Sequence, residues 1–141
     1  MDSRQIEEKL KNQPIFNGAF PRDKLPKLFQ IPAALIVNTD SSSEKGEHWI
    51  AIIVLKYRRG EYFDSFGIAP LHKDIISFLD KHCSAGWIFN SCCIQHYSSK
   101  SCGNHCIAYI KERISGKSFT EFISQFSVNL SKNEELISKW N

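Results

Sequence analysis

Three apolar stretches decide the fold: AALIVN at residues 33–38, HWIAIIVLK at residues 48–56 and EYFDS at residues 61–65. Continuous apolar runs of strand length are typical of strands that are buried on both faces of a sheet. A polar loop at residues 39–47 separates the first two stretches, and the basic turn at residues 57–60 separates the second from the third. The pattern therefore predicts a meander of three strands.

The segments around this meander are predicted to be mainly helical, because apolar residues recur there at helical spacing. We predict helices over residues 3–11, 71–82, 103–115, 118–126 and 132–140, with Ser3, Ser118 and Ser131 as caps and with Leu71, Ile75, Phe78, Leu79 and His82 on the apolar face of the second. Residues 86–94 predict a fourth strand, and residues 15–30 predict an irregular apolar segment interrupted by glycine and proline. The expected fold class is α+β, in one domain over residues 1–141 with a mixed or antiparallel central sheet packed against helices.

The composition is that of an ordinary globular protein, with 42% hydrophobic and 23% charged residues. No apolar run approaches the ~20 residues of a membrane-spanning helix, and the charged N-terminus does not resemble a signal peptide. We therefore expect an intracellular monomer in a reducing compartment, without membrane contact and with its five cysteines as thiols. The net charge of +3 is too mild to indicate a nucleic-acid partner. The basic residues expected to be solvated are Lys56, Arg58, Arg59, Lys111 and Arg113.

The stretch QHYSSKSCGNHC at residues 95–106 carries the strongest chemical signal. Cys102 stands at the predicted start of a helix, where unpaired backbone N–H groups and the helix dipole favour the thiolate over the thiol. Gly103 lets the backbone turn tightly and lets a substrate approach closely. Cys102 is therefore a candidate nucleophile, although a buried structural cysteine on an amphipathic helix would give the same local pattern.

A nucleophilic thiol needs a base, and the base needs an orienting partner. His48 begins the second strand directly after a polar loop, and Asp64 lies near the end of the third. Antiparallel pairing around the turn at residues 57–60 would bring the two side chains together. Asp64 would then fix the tautomer of His48 and stabilise the imidazolium. Taken singly, His48 could equally be a solvated edge histidine and Asp64 a turn carboxylate.

Gln95 is the fourth candidate, because it ends the predicted strand that leads to Cys102. Its side-chain N–H and the backbone N–H of Cys102 could together stabilise the oxyanion that forms on a scissile carbonyl. The alternative interpretation of Gln95 is a surface amide. The order of histidine, aspartate, glutamine and cysteine on the predicted elements nevertheless favours a catalytic site.

Five stretches carry a family resemblance: Phe16-Asn17-Gly18, Ile36-Val37-Asn38-Thr39, Gly46-Glu47-His48-Trp49, Tyr62-Phe63-Asp64-Ser65-Phe66-Gly67, and Gln95 through Ser101-Cys102-Gly103 with Cys106. Over Ile6 to Ile110 the chain resembles the adenain-type maturation cysteine proteases of adenoviruses and their relatives in virus-like DNA transposons. More distantly, it resembles the ubiquitin-like-protein proteases. The resemblance implies a papain-like fold in permuted order, with Cys102 as nucleophile, His48 as base, Asp64 as third member and Gln95 as oxyanion donor. It also implies viral or virus-like capsid and core precursors as substrates, cut next to a small residue such as glycine.

The chain is shorter than the adenovirus enzymes, and it departs from the family pattern in two further respects. Asp64 stands where the adenovirus enzymes usually carry glutamate, although the ubiquitin-like-protein proteases carry aspartate there. The adenovirus enzymes are stimulated by DNA and by a viral peptide that forms a disulfide with them. Cys92 and Cys93 lie too close to Gln95 to match the cysteine that is linked to that peptide. The sequence therefore gives no support for a peptide or DNA activator.

Two other functions remain open. One is an isopeptidase that removes a ubiquitin-like modifier. The other is a non-enzymatic zinc or interaction module, because cysteine and histidine are dense in one region. The residues concerned are Cys92, Cys93, His96, Cys102, His105 and Cys106. They lack the separated C-x₂-C pairs of typical zinc sites, and Cys106 is expected to face the core, so we expect no metal and no cofactor. Trp49 is expected to be a core residue that shapes the site indirectly.

Overall fold

A mixed five-stranded sheet forms the centre of the computed structural model, which describes residues 1–140; Asn141, the last residue of the predicted domain, lies outside it. The strands are β1 (Phe16–Pro21), β2 (Ala33–Asn38), β3 (Trp49–Val54), β4 (Gly60–Phe63) and β5 (Trp87–Phe89). They lie side by side in chain order. The pairs β2–β3 and β3–β4 are antiparallel, whereas β1–β2 and β4–β5 are parallel. The predicted meander of three strands is therefore confirmed.

Helices cover the sheet, in agreement with the predicted α+β class. The helices are α1 (Ser3–Leu10), α2 (Lys73–His82), α3 (Cys102–Ile114), α4 (Phe119–Ser124) and α5 (Leu130–Trp140). Short 3₁₀ turns lie at Arg22–Lys24 and Lys56–Arg58. Within residues 1–140, no helix is both long enough and apolar enough to cross a membrane.

Every residue of β2 and β3 is buried, because helices pack on both faces of the sheet. Side chains alternate between the two faces of a strand. Ile36 and Ile53 join the apolar cluster that contains α3, while Leu35 and Ile52 join the cluster that contains α2. Because helices cover both faces of the sheet, these two strands consist of continuous apolar residues.

Strand β1 corrects the prediction of an irregular segment over residues 15–30. Phe16–Pro21 pairs in parallel with β2, and the register shifts between Phe16 and Ala19. Gly18, with a φ of 135°, lies within this irregularity. Such a position favours glycine, and proline is tolerated on an edge strand. The glycine and the proline that interrupt the apolar pattern in the sequence are therefore residues that an irregular edge strand can contain.

Strand β5 is also shorter than predicted, because it ends at Phe89 rather than at residue 94. The next side chain, Asn90, turns inward and hydrogen-bonds the backbone of Asp64 in both directions, with Asn90 Oδ1 accepting at 2.9 Å and Nδ2 donating at 2.6 Å. Residues 90–101 have no regular secondary structure. Gln95 therefore lies in this connection and does not end a strand.

Three predicted helix details are wrong. Asp2, and not Ser3, caps α1 by accepting a hydrogen bond from the backbone N–H of Gln5 at 2.9 Å. Helix α2 begins at Lys73, so Leu71 precedes it and is 77% exposed. Ser131 lies inside α5 rather than at its cap. The Ser118 cap of α4 is confirmed.

Arg113 is likewise not a solvated surface residue. Its guanidinium donates two hydrogen bonds to the buried carboxylate of Glu61 on β4, at 2.8 and 2.6 Å. The Tyr109 hydroxyl donates to the same carboxylate. Residues four apart share one face of a helix, so Tyr109 and Arg113 reach Glu61 together from α3.

Candidate active site

Cys102 is the first residue of α3 and is 7% exposed. Apolar packing fixes the helix beneath the sheet, and Cys106, one turn further along, is fully buried as predicted. The thiol of Cys106 donates to the carbonyl oxygen of Trp49 at 3.4 Å. This contact holds the first turn of α3 against the start of β3, where His48 lies.

His48 and Asp64 meet at one edge of the sheet. His48 immediately precedes β3 and Asp64 immediately follows β4, and the antiparallel register pairs Ala51 with Phe63. The start of one strand therefore lies beside the end of the other. The distance from His48 Nε2 to Asp64 Oδ1 is 2.8 Å, as the hairpin argument predicts.

Asp64 is 5% exposed, and its carboxylate has a fixed orientation. Its Oδ1 also accepts the backbone N–H of Phe66 at 2.9 Å. The Phe66 ring stacks on the His48 imidazole with centroids 4.9 Å apart. Asn90 holds the Asp64 backbone from the other side. Both rings and the carboxylate are therefore restrained before any substrate binds.

The His48 imidazole and the Cys102 thiol line the same cleft, and each shifts the pKa of the other. Because Nε2 contacts Asp64, Nδ1 is the ring nitrogen that remains for the sulfur. Burial lowers the pKa of His48, but the hydrogen bonds with Asp64 and Cys102 outweigh it and raise the pKa to about 9. Burial raises the pKa of Cys102, yet the His48 hydrogen bond and backbone bonds at Trp49 and Gly103 lower it overall. This pattern favours a thiolate–imidazolium pair.

Gln95 is 1% exposed, so the surface-amide interpretation is wrong. Its Oε1 accepts the Ser65 hydroxyl at 2.5 Å, and its Nε2 donates to the Ser99 carbonyl oxygen at 2.9 Å. A carboxamide nitrogen carries two protons, so one N–H is left for another acceptor. These two bonds fix the amide plane beside Cys102.

A cleft of about 440 Å³ opens onto these side chains. Its lining residues are Met1, Gly46, Glu47, His48, Trp49, Phe66, Gln95, Ser99, Lys100 and Cys102. Trp49 is 8% exposed, and its indole N–H donates to the Met1 carbonyl oxygen at 2.9 Å. The predicted role of Trp49 as a core residue that shapes the site agrees with this position.

Sequence reasoning missed four residues that hold the candidate site: Ser65, Phe66, Asn90 and Ser99. Ser65 and Phe66 belong to the Asp-Ser-Phe-Gly stretch, where only Asp64 had been given a chemical role. Asn90, a polar residue inside a predicted apolar strand, was a visible signal of a break in that strand. The contact between Gln95 and Ser99 had no local signal, because it depends on the path of an irregular loop.

The dense cysteine and histidine region does not assemble into a metal site. Within residues 1–140, no three side chains of His, Cys, Asp or Glu are placed to hold a metal ion together. Cys92 and Cys93 are exposed, whereas Cys102 and Cys106 are buried. The two pairs of cysteines therefore lie in different environments, and among the described residues they do not form the shared ligand set that a zinc module would need.

The geometry predicts that Cys102 is the most reactive thiol. Burial raises the pKa of Cys83 to about 11 and raises that of Cys106 well above its usual range, and burial also raises the pKa of Cys93. Limiting iodoacetamide at about pH 6.5 should therefore modify Cys102 first, since only the thiolate reacts. Peptide mapping by mass spectrometry measures the order. Cys92 is the exposed competitor, and faster labelling at Cys92 than at Cys102 would contradict the assignment.

Comparison with known proteins gives two curated relatives in sequence, the S273R cysteine proteases of two African swine fever virus isolates. No protein-family model matches the chain. Over 102 residues, 63% of the chain, the sequence is 30% identical to the SUMO-1 cysteine protease S273R of African swine fever virus. The matched region spans 36% of that viral protein, so about two thirds of the relative has no counterpart in the alignment.

Solved structures show the fold. The crystal structure of the pS273R protease of African swine fever virus matches 96% of this chain and 65% of its own, with a TM-score of 0.67 and 19% identity. The Chlamydia trachomatis effector Cdu1, solved bound to ubiquitin, matches 96% of this chain and 72% of its own, with a TM-score of 0.57 and 16% identity. The fold class predicted from the sequence is thereby confirmed. The chain is similar in sequence to a viral cysteine protease and has the fold of that enzyme.

Proposed function

We propose that this chain is a cysteine protease in which Cys102 is the nucleophile, His48 the base and acid, Asp64 the orienting carboxylate and Gln95 the oxyanion donor. The observation that carries the proposal is that His48, with Nε2 2.8 Å from Asp64 Oδ1, and Cys102, the first residue of α3, line the same cleft. A buried imidazole between a carboxylate and a thiol at a helix N-terminus is the arrangement that thiol proteolysis requires.

The mechanism follows from this arrangement. The Cys102 thiolate attacks the scissile carbonyl carbon, and the carbonyl electron pair moves onto oxygen. The free N–H of Gln95 and the backbone N–H of Cys102 stabilise that oxyanion. The His48 imidazolium then donates its proton to the leaving amine as the C–N bond breaks, which leaves a thioester. Neutral His48 next takes a proton from a water molecule as the water oxygen attacks the thioester carbonyl carbon. The C–S bond then breaks, which releases the acid product and restores the Cys102 thiolate beside the His48 imidazolium.

The proposed substrates are capsid and core precursors of a virus or a virus-like DNA transposon, cut next to a small residue such as glycine. The relationship to a viral protease supports this assignment. The second candidate is a ubiquitin-like-protein isopeptidase. Two observations favour it: the viral relative is named a SUMO-1 cysteine protease, and Cdu1 has the same fold and was solved bound to ubiquitin.

Cleavage assays test the activity and separate the two substrate classes. The wild-type chain, Cys102→Ala and the matched control Cys92→Ala are each given peptides with glycine at the cut, and ubiquitin and SUMO with a fluorogenic C-terminal amide. We expect wild type and Cys92→Ala to cleave and Cys102→Ala to be inactive. Turnover of the ubiquitin or SUMO conjugates with little turnover of the peptides would support the isopeptidase. Equal rates for wild type and Cys102→Ala on every substrate would refute the proposal.

A further inference from the structure

We propose that Asn133 and Glu134, consecutive residues of α5, are positioning residues that hold Gln95 and Cys102 in a fixed relation to each other. The inference rests on the proposed function, because it assigns these residues to the oxyanion site of that reaction. Neither residue touches the cleft, and both act through the connection between Phe89 and Cys102.

Asn133 and Glu134 bind the backbone on both sides of Gln95. Asn133 Nδ2 donates to the carbonyl oxygen of Ile94 at 3.0 Å, and Glu134 Oε1 accepts the backbone N–H of His96 at 3.0 Å. The peptide groups that flank Gln95 are therefore both fixed to one helical turn. Residues 90–101 lack regular secondary structure, and the other backbone restraint at this point comes from Ser65, whose carbonyl oxygen accepts the N–H groups of Ile94 and Gln95 at 2.8 and 3.0 Å.

The second oxygen of Glu134 reaches the residue before Cys102. Oε2 accepts the Ser101 hydroxyl at 2.7 Å. The carbonyl oxygen of Ser101 lies 2.9 Å from Nδ1 of His105, whose ring is fully buried. A single carboxylate thus bridges the residue after Gln95 and the residue before Cys102. The two proposed oxyanion donors, the Gln95 amide and the Cys102 backbone N–H, are thereby held at a set separation.

Helix α5 is a rigid support for this bridge. Ile137 lies in the same apolar cluster as α3, and Trp140 packs against that cluster. Asn133 is 1% exposed and also exchanges hydrogen bonds with the backbone of Ser127, at 2.7 and 2.8 Å. Donors that converge on one oxygen need positions within about 0.5 Å, so loss of the bridge should weaken catalysis more than substrate binding.

Steady-state kinetics test the inference with Glu134→Ala, Glu134→Gln and the matched control Glu135→Ala, an exposed neighbour on the same helix. The probe is a fluorogenic peptide amide ending in Gly-Gly. Glu134→Ala should lower kcat by ~10-fold or more, with KM changed by less than ~3-fold. In Glu134→Gln the carboxamide oxygen can still accept the backbone N–H of His96, so this variant should keep part of the kcat that Glu134→Ala loses. Glu135→Ala should behave as wild type, and an equal loss in that control would overturn the inference.

A double-mutant cycle separates positioning from a general loss of stability. If Glu134 acts through Gln95, then Glu134→Ala should lower kcat by no more than ~2-fold in a chain that already carries Gln95→Ala, because the effects of coupled residues are not additive. If Glu134→Ala lowers kcat in that background by as much as it does in the wild type, the inference is overturned. Should Glu134→Ala fail to fold, Ser101→Ala carries the same comparison: it removes the bond to Oε2, together with the contacts of the Ser101 hydroxyl with Ser99 Oγ and His105 Nδ1, and leaves the His96 bond to Glu134 in place.

Nuclear magnetic resonance decides the inference independently of activity. The side-chain amide protons of Gln95, assigned by their disappearance in Gln95→Ala, should shift in Glu134→Ala and stay in place in Glu135→Ala. Unchanged Gln95 resonances in Glu134→Ala would overturn the positioning role. Absence of cleavage by the wild type would refute the proposed function instead, while the resonances still report on the bridge.

Discussion

His48→Ala is expected to remove most peptide cleavage while leaving the fold intact, with kcat lowered by about 10²–10⁴. The thiolate of Cys102 loses the imidazolium that stabilises it, and the leaving amine loses its acid. Asp64→Asn should be milder, because the base remains and only its orientation is lost. Initial rates on the cleaved peptide measure both effects. His72→Ala, which removes a histidine outside the cleft, serves as the control.

The pH dependence provides a second readout for the same variant. The pKa of His48 is raised to about 9, so the imidazolium is present below that pH and is lost above it. The pKa of Cys102 is lowered, so the thiolate persists until the pH falls through that lowered value. Activity should therefore fall on the alkaline side near pH 9, and His48→Ala should lack this limb. Activity within about threefold of wild type in His48→Ala, well under the general acid–base contribution, would contradict the mechanism.

Gln95→Ala should lower kcat by roughly 10–10³ with little change in KM. The hydrogen bond from the free N–H strengthens only as negative charge develops on the carbonyl oxygen. Alkylation of Cys102 by iodoacetamide forms no oxyanion, so its rate should barely change in the same variant. Parallel measurement of peptide cleavage and alkylation therefore distinguishes an oxyanion donor from a support of the thiolate.

Two outcomes would give Gln95 a different role. If alkylation slows in proportion to cleavage, the residue supports the thiolate or the local fold, because Ser65 and Ser99 lose their partners in this variant. If only KM rises, the residue binds substrate. Circular dichroism on the variant, with the wild type alongside, checks that secondary structure is retained.

Local sequence determined the parts of this protein that depend on periodicity and chain proximity. The apolar runs at residues 33–38 and 48–56 predicted buried strands, since only strands covered on both faces carry apolar residues at every position. The short turn between β3 and β4 predicted the contact between His48 and Asp64, because antiparallel neighbours joined by a tight turn have a nearly fixed register. The helix that starts at Cys102 followed from apolar spacing alone.

Tertiary structure decided the contacts between segments that are distant in the chain. The sequence predicts Gln95 at the end of a strand, yet it lies in an irregular connection that Ser65, Asn133 and Glu134 hold by hydrogen bonds. The sequence predicts a solvated Arg113, but in α3 this residue donates to the buried carboxylate of Glu61, 52 positions away. Side-chain hydrogen bonds of this kind produce no periodic pattern in the sequence. Each involves a single polar residue, and the packing of the helices and loops determines which group becomes its partner. The sequence was therefore sufficient to predict the candidate catalytic residues. The hydrogen bonds that restrain their geometry depend on how the helices and loops pack around the sheet, and only the tertiary structure shows them.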